Sequence, residues 1–271
     1  MRSFLFIAIL FSSMWASALD PSLTYATTPA DYGLNYEEVT FKTSDNLNLK
    51  GWLFHPAEES YKMIILSDDG DGNMADLIEI ATNFVSLGYN VLTYDYRGYG
   101  QSDAFNINPS FYIYTQFALD VNAAIDYVKK YHSKCRNVSL YGQGIGASLS
   151  LAIGATRCSE IFKIIADSPY STLDDVQKAI KTATGTEVKL PLGFDKNQLE
   201  PMYALEAKGA SLAGILIIYG KLDPIYNDDM VKKISKIRGS ITSTYVVKES
   251  DHAATFTTNK DEYFKQIKAF M

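Results

Sequence analysis

Val138-Ser139-Leu140-Tyr141-Gly142-Gln143-Gly144-Ile145-Gly146-Ala147-Ser148 is the stretch on which the fold of this chain turns. An apolar run feeds Gly-x-Gly-x-Gly, and small residues continue beyond it. The pattern predicts a buried strand, a sharp turn, and a helix whose backbone nearly touches the strand. A dinucleotide-binding loop also sets glycines between a strand and a helix. It needs Gly-x-Gly-x-x-Gly and an acidic residue ending the next strand. The spacing here is wrong for that, although the next strand, about residues 162–166, does run into Asp167.

Three distant segments decide between these readings. Ile215-Leu216-Ile217-Ile218-Tyr219-Gly220-Lys221-Leu222-Asp223 is an apolar strand ending in Gly-x-x-Asp. Tyr245-Val246-Val247-Lys248-Glu249-Ser250-Asp251-His252 is a strand whose loop presents a histidine before a terminal helix. Asp95-Tyr96-Arg97-Gly98-Tyr99-Gly100-Gln101-Ser102 follows a third strand, Asn90-Val91-Leu92-Thr93-Tyr94. This last stretch closely resembles the Asp-x-Arg-Gly-x-Gly-x-Ser segment of many α/β-hydrolases. From about residue 36 to the end, the chain resembles that superfamily, particularly its compact, serine aminopeptidase-like members with a short cap.

The resemblance implies an α/β-hydrolase fold: a mostly parallel eight-stranded sheet with helices on both faces. It also implies a chain order of nucleophile, acid, histidine, with the nucleophile as serine in Gly-x-Ser-x-Gly. Here that position is Gly144. Asp223 and His252 stand where the orienting acid and the general base belong, but glycine has no hydroxyl for His252 to activate. Ser148 and Ser150 fall a turn or more into the following helix, where their hydroxyls point into helix packing. Gly144 is expected at positive φ, where a non-glycine residue carries roughly 1–3 kcal/mol of strain and glycine carries none.

The loop after the third strand departs from the superfamily as well. Where His-Gly is common, this chain reads Ser67-Asp68-Asp69-Gly70-Asp71-Gly72-Asn73. The resemblance assigns the oxyanion donors to the N–H of Ile145 and to that of Gly70 or Asp71. Carboxylates beside a developing oxyanion oppose the stabilisation that this chemistry depends on. Asp69-x-Asp71-x-Asn73 is similar to the start of a calcium loop. Met74 stands where that loop needs glycine, however, and its twelfth position is Ile80. A solvated acidic loop is therefore preferred to a metal site, and no metal or cofactor is expected.

Composition agrees with one large α/β domain. The chain has 271 residues, of which 47% are hydrophobic and 21% charged. A net charge of −6 argues against a nucleic-acid surface. The amino terminus reads separately: Met1-Arg2, an apolar stretch over residues 3–15, then Ala16-Ser17-Ala18. These are the parts of a secretory signal peptide, so residues 1–18 are expected to be removed and the product to be secreted or periplasmic. The apolar run is too short for a transmembrane helix, and no membrane span is expected after cleavage. The remainder, 19–271, is read as a single domain with a cap insertion at about 169–212. An exported chain permits disulfides, and Cys135 and Cys158 each precede a strand of the expected sheet. A bridge between them would stabilise the fold by about 3 kcal/mol in the chain-entropy model.

Residues 36–43 and 47–55 read as an antiparallel pair turning at Asp45-Asn46. Residues 62–67 read as a buried strand, and 74–87, 112–131, 145–156 and 260–270 as helices. Three functions fit. The first is an inactive hydrolase-fold protein that binds a small acyl ligand or a protein partner. The second is a serine-independent hydrolase of esters, thioesters or amides, with His252 as general base on a water at Gly144. The third is a serine hydrolase carrying an engineered Ser→Gly exchange.

Overall fold

A computed structural model describes residues 19–252 and 254–271. The expected signal peptide lies outside the described residues. One sheet organises the chain: β1 (Tyr36–Lys42), β2 (Asn48–Phe54), β3 (Lys62–Ser67), β4 (Asn90–Tyr94), β5 (Asn137–Gln143), β6 (Ile161–Asp167), β7 (Gly214–Gly220) and β8 (Thr242–Val247). Their order across the sheet is β8-β7-β6-β5-β3-β4-β2-β1. The pairs β1–β2 and β2–β4 are antiparallel, and all others are parallel. The mostly parallel eight-stranded sheet is the one the resemblance implies. Its central strands are buried on both faces, and this is why they read as continuous apolar runs rather than alternating ones.

Helices cover both faces. On one side lie α1 (Ile78–Ser86) and the carboxy-terminal α9 (Lys260–Phe270), packed over Ile64, Leu66, Tyr141, Ile165 and Ile218. On the other lie α2 (Phe117–Tyr131), α3 (Gly144–Thr156) and α7 (Asp228–Ile237), over Ile65, Leu140, Ile164 and Ile217. In α3 every residue from Gly144 to Ala155 is buried. A helix sunk this deep needs small residues. A Cβ on Gly146 would lie 2.4 Å from the Ser67 and Asp68 carbonyl oxygens. Between β6 and β7 stand α4 (Leu173–Thr184), α5 (Lys196–Leu199) and α6 (Pro201–Ala207). Thr172 caps α4, and Gly185 at φ +74° ends it.

A strap crosses the front of the molecule. Asp20–Pro21 pairs in parallel with Asp71–Gly72, and the Tyr25 hydroxyl donates to Asp95. Arg97, only 1% exposed, forks between Asp120 of α2 and Asp45 of the β1–β2 turn.

Three expectations need correction. The disulfide is not formed, and Cys135 and Cys158 are free thiols. Cys135 is buried in the α2–β5 connection, where its N–H donates to His132, whereas Cys158 faces the backbone of Gly209 and Ser211. The helix expected over 112–131 begins at Phe117; Phe111 and Tyr112 lie along Lys189 instead, through a β-bridge and the Tyr112 N–H bond to the Lys189 carbonyl. The helix expected over 74–87 divides into a 3-10 turn, Met74–Leu77, followed by α1.

Candidate active site

The carboxyl ends of β3, β5, β7 and β8 bring the predicted residues together. Gly144 opens α3 at φ +49°, a backbone conformation that glycine reaches at no steric cost. Asp223 follows β7 and is 4% exposed. Its Oδ1 accepts the N–H groups of Ile225 and Tyr226 at 2.8 and 3.0 Å, which fixes the carboxylate in its own turn. His252 follows β8, and its Nδ1 lies 3.2 and 3.1 Å from the two Asp223 oxygens. The acid–histidine pair is thus within hydrogen-bond distance. The other two histidines, His55 and His132, stand elsewhere. His55 bonds Asn90, and His132 lies against Tyr127.

The space beside Gly144 is occupied. A Cβ built on it would lie 2.9 Å from Asp69 Cβ and 3.3 Å from the Tyr226 hydroxyl. Carbon atoms at rest keep about 3.5–4 Å, so no side chain fits without movement of the Asp69 loop. That loop is braced on several sides. The Tyr96 hydroxyl donates to the Asp68 carbonyl, while the Tyr99 hydroxyl and the Asp20 N–H both donate to the Gly70 carbonyl.

Of the expected oxyanion donors, the two in the loop have other partners. Gly70 N–H donates to Asp68 Oδ1 and Asp71 N–H to Asp69 Oδ1, each at 3.0 Å. Ile145 sits at the first turn of α3, 1% exposed. Burial pushes the Asp68 carboxyl well above the usual carboxylate range, and the Asp69 charge beside it adds to the shift. Burial also raises Asp69, against the Asp71 N–H bond that lowers it. Asp71 is raised by burial and then by Asp20 and Asp76. Among the described residues, no group of three ligating side chains converges on a point that could hold a metal ion.

Ser148 and Ser150 are fully buried structural residues. Ser148 Oγ donates to the Gly144 carbonyl and accepts the Tyr170 N–H, and Ser150 Oγ donates to the Tyr141 carbonyl. Sequence reasoning missed Tyr226 and Tyr112. The Tyr226 ring stacks on His252, with centroids 5.2 Å apart, and its hydroxyl lies 3.0 Å from that of Tyr112. Tyr226 stands three residues beyond Asp223, a proximity that could have flagged it. Tyr112 carries no such sign.

A family model described as serine aminopeptidase, S33, matches residues 72–190, a span that contains the Arg97 loop, the elbow and β6. The Pyrococcus furiosus esterase Pf2001 superposes with a TM-score of 0.74, covering 93% of this chain and 96% of that one at 22% identity. The chain has the α/β-hydrolase fold, and over residues 72–190 it is similar to the serine aminopeptidase family. Among sequence relatives of this hydrolase fold is protein Bem46 of Schizosaccharomyces pombe, 29% identical over 154 residues. That match spans 55% of this chain and about half, 49%, of Bem46. The uncharacterized YqkD of Bacillus subtilis is 22% identical over 83% of this chain and 75% of its own length.

Proposed function

We propose that this protein is an exported pseudohydrolase. It keeps the α/β-hydrolase scaffold and binds a small acyl ligand or a protein partner through the inherited site, without turnover through a serine ester. The observation that carries this reading is the occupancy around Gly144. The nucleophile's side chain is absent, and the Asp69 side chain with the Tyr226 hydroxyl takes its space. The loop donors support it further. Gly70 and Asp71 spend their N–H groups on Asp68 and Asp69, so an oxyanion would compete with carboxylates for them. Export rests on the amino-terminal sequence alone.

The intact pair of His252 and Asp223 favours a second reading, in which His252 acts as general base on a water. A water at the vacated side-chain position would sit 2.9 Å from Asp69 Cβ, too close for a carbon neighbour. Reading the chain as an engineered variant meets the same contact, since the original serine would have clashed with the loop.

The test is fluorophosphonate labelling together with a panel of acyl esters, thioesters and peptides. Neither labelling nor turnover above buffer is expected. Stoichiometric labelling at any serine, or turnover that disappears in His252→Ala, would overturn the proposal.

A further inference from the structure

Asp167, the last residue of β6, stands outside the Gly144–Asp223–His252 constellation and is 1% exposed. Its Oδ2 accepts the Thr255 hydroxyl at 2.6 Å and the Tyr263 hydroxyl at 2.7 Å, and its Oδ1 accepts the Ser168 hydroxyl at 3.0 Å. The Tyr263 hydroxyl lies 2.8 Å from that of Tyr141, on the strand that leads into the elbow. These groups sit at the polar tip of an otherwise apolar face formed with Ile165, Ile218 and Phe256. A carboxyl placed there is unfavourable unless hydrogen bonds satisfy it, and packing alone does not call for one. The next residue adds strain. Ser168 is buried at φ +59°, a left-handed conformation for a residue with a side chain, and is held by an N–H bond to the Ile218 carbonyl at 2.7 Å.

The position of the partners gives the network its meaning. Thr255 opens α8 (Thr255–Thr258), three residues beyond His252, and Tyr263 lies in α9 just after it. On its other side the His252 loop is tied to the sheet edge by the Leu222 N–H, which donates to the Ser250 carbonyl. We propose that Asp167 is the positioning residue of the His252 loop: through Thr255 and Tyr263 it fixes the segment that presents His252 to Asp223 and Tyr226. The inference rests on the proposed function only in taking that loop as a wall of the binding site. It holds equally for a site that turns over.

The titratable groups facing Asp167 are Tyr263 from α9, Tyr141 from β5 and Asp223 from the loop after β7. Burial holds the Asp167 carboxyl up to about 6, against the three hydroxyl bonds that lower it. The latch works in both protonation states. A proton on Oδ1 reverses the Ser168 bond and leaves Oδ2 accepting both hydroxyls. An asparagine can do the same, with its carbonyl in place of Oδ2 and its amide donating to Ser168.

The experiment uses the folded chain with 15N-labelled histidine. His55 and His132 serve as internal controls remote from the latch. Asp167→Ala and Thr255→Val are expected to move the His252 imidazole resonances and leave the controls in place. Amide exchange across residues 254–258 should quicken about tenfold or more in both. Asp167→Asn should return both readouts to the wild-type values, a rescue that a generic loss of core stability would not give. An unmoved His252 signal with wild-type exchange in Asp167→Ala, or no rescue by Asp167→Asn, overturns the proposal. Should Asp167→Ala fail to fold, Thr255→Val, which leaves the carboxyl in place, decides by the same two readouts.

Discussion

Gly144→Ser is the sharpest test of how this site is built, because two separate penalties can be worked from its geometry. The first is backbone strain. At φ +49° an L-residue is about 1–2 kcal/mol less favourable than glycine. The second is steric. A serine Cβ at 2.9 Å from Asp69 Cβ forces a braced loop to move, and overpacking of that kind costs about 1–3 kcal/mol. A new hydrogen bond to Tyr226 or His252 would offset about 1 kcal/mol. The net loss is then roughly 1–4 kcal/mol, a fall in melting temperature of about 3–12 °C for a chain of this size. Thermal and urea melts of the single variant, of Asp69→Gly, and of the double variant would resolve the two terms. Removing the Asp69 side chain relieves only the contact, so the double variant should be more stable than the sum of the singles by about 1–3 kcal/mol. Esterase activity of Gly144→Ser alone should stay near background, since Asp68 and Asp71 belong to the loop expected to donate to an oxyanion. Additive losses would show that Asp69 is not what excludes a side chain at 144. Rapid ester turnover by the single variant would refute the reasoning on the acidic loop.

Other consequences can be measured directly. Burial raises Asp120 and Asp167 to about 6 and holds Asp68, Asp69, Asp71, Asp95 and Glu200 above the usual range. These groups bind protons more readily folded than unfolded, so their contribution to stability is complete below about pH 4 and is lost as pH rises through about 6 and beyond. Melting temperature should therefore be higher at about pH 5 than at about pH 7.5, and a fall on acidification over that range would contradict the assignment. Arg97→Ala leaves Asp120 buried without its cation and should cost about 3–5 kcal/mol in urea unfolding; a loss under about 1 kcal/mol would mean that the pair is dispensable. Burial raises the Cys135 thiol, whereas at Cys158 backbone bonds from Ser211 and Gly209 outweigh burial and lower it. A thiol-specific disulfide reagent should thus modify the half-buried Cys158 well before the buried Cys135, and peptide mapping would reveal the reverse order.

Much of this fold could be read from the sequence, because its central strands are long apolar runs punctuated by glycine. The Gly142–Gly146 turn, the Asp-x-Arg-Gly loop, and the strands before Asp223 and His252 all announce themselves locally. What could not be read depends on which side chains meet across the sheet edge. The aspartate run 68–71 was visible as a charge anomaly at an expected donor loop. Nothing in its spacing says that the Asp69 side chain packs against Gly144, since that requires the rise of β3 relative to β5, where Ser67 pairs with Gly142. The stacking of Tyr226 on His252 and the bond from Thr255 to Asp167 join residues 26 and 88 positions apart, beyond any local pattern. The cysteines mislead for a related reason. Position at a strand end fixes neither the direction of a side chain nor its partner.

The contact between Gly144 and Asp69 also acts as a ratchet in sequence space. A glycine at this turn leaves room for the facing loop to seat a bulkier, acidic residue in the gap. With Asp69 seated there, a single change back to serine meets both strain and collision. A lineage carrying both residues must therefore cross an intermediate worse than either end before it can regain a working elbow. The order of substitutions matters, with the loop retreating first and the serine returning second. On the proposed reading, losing the hydroxyl takes one step, whereas restoring it against this packing takes at least two.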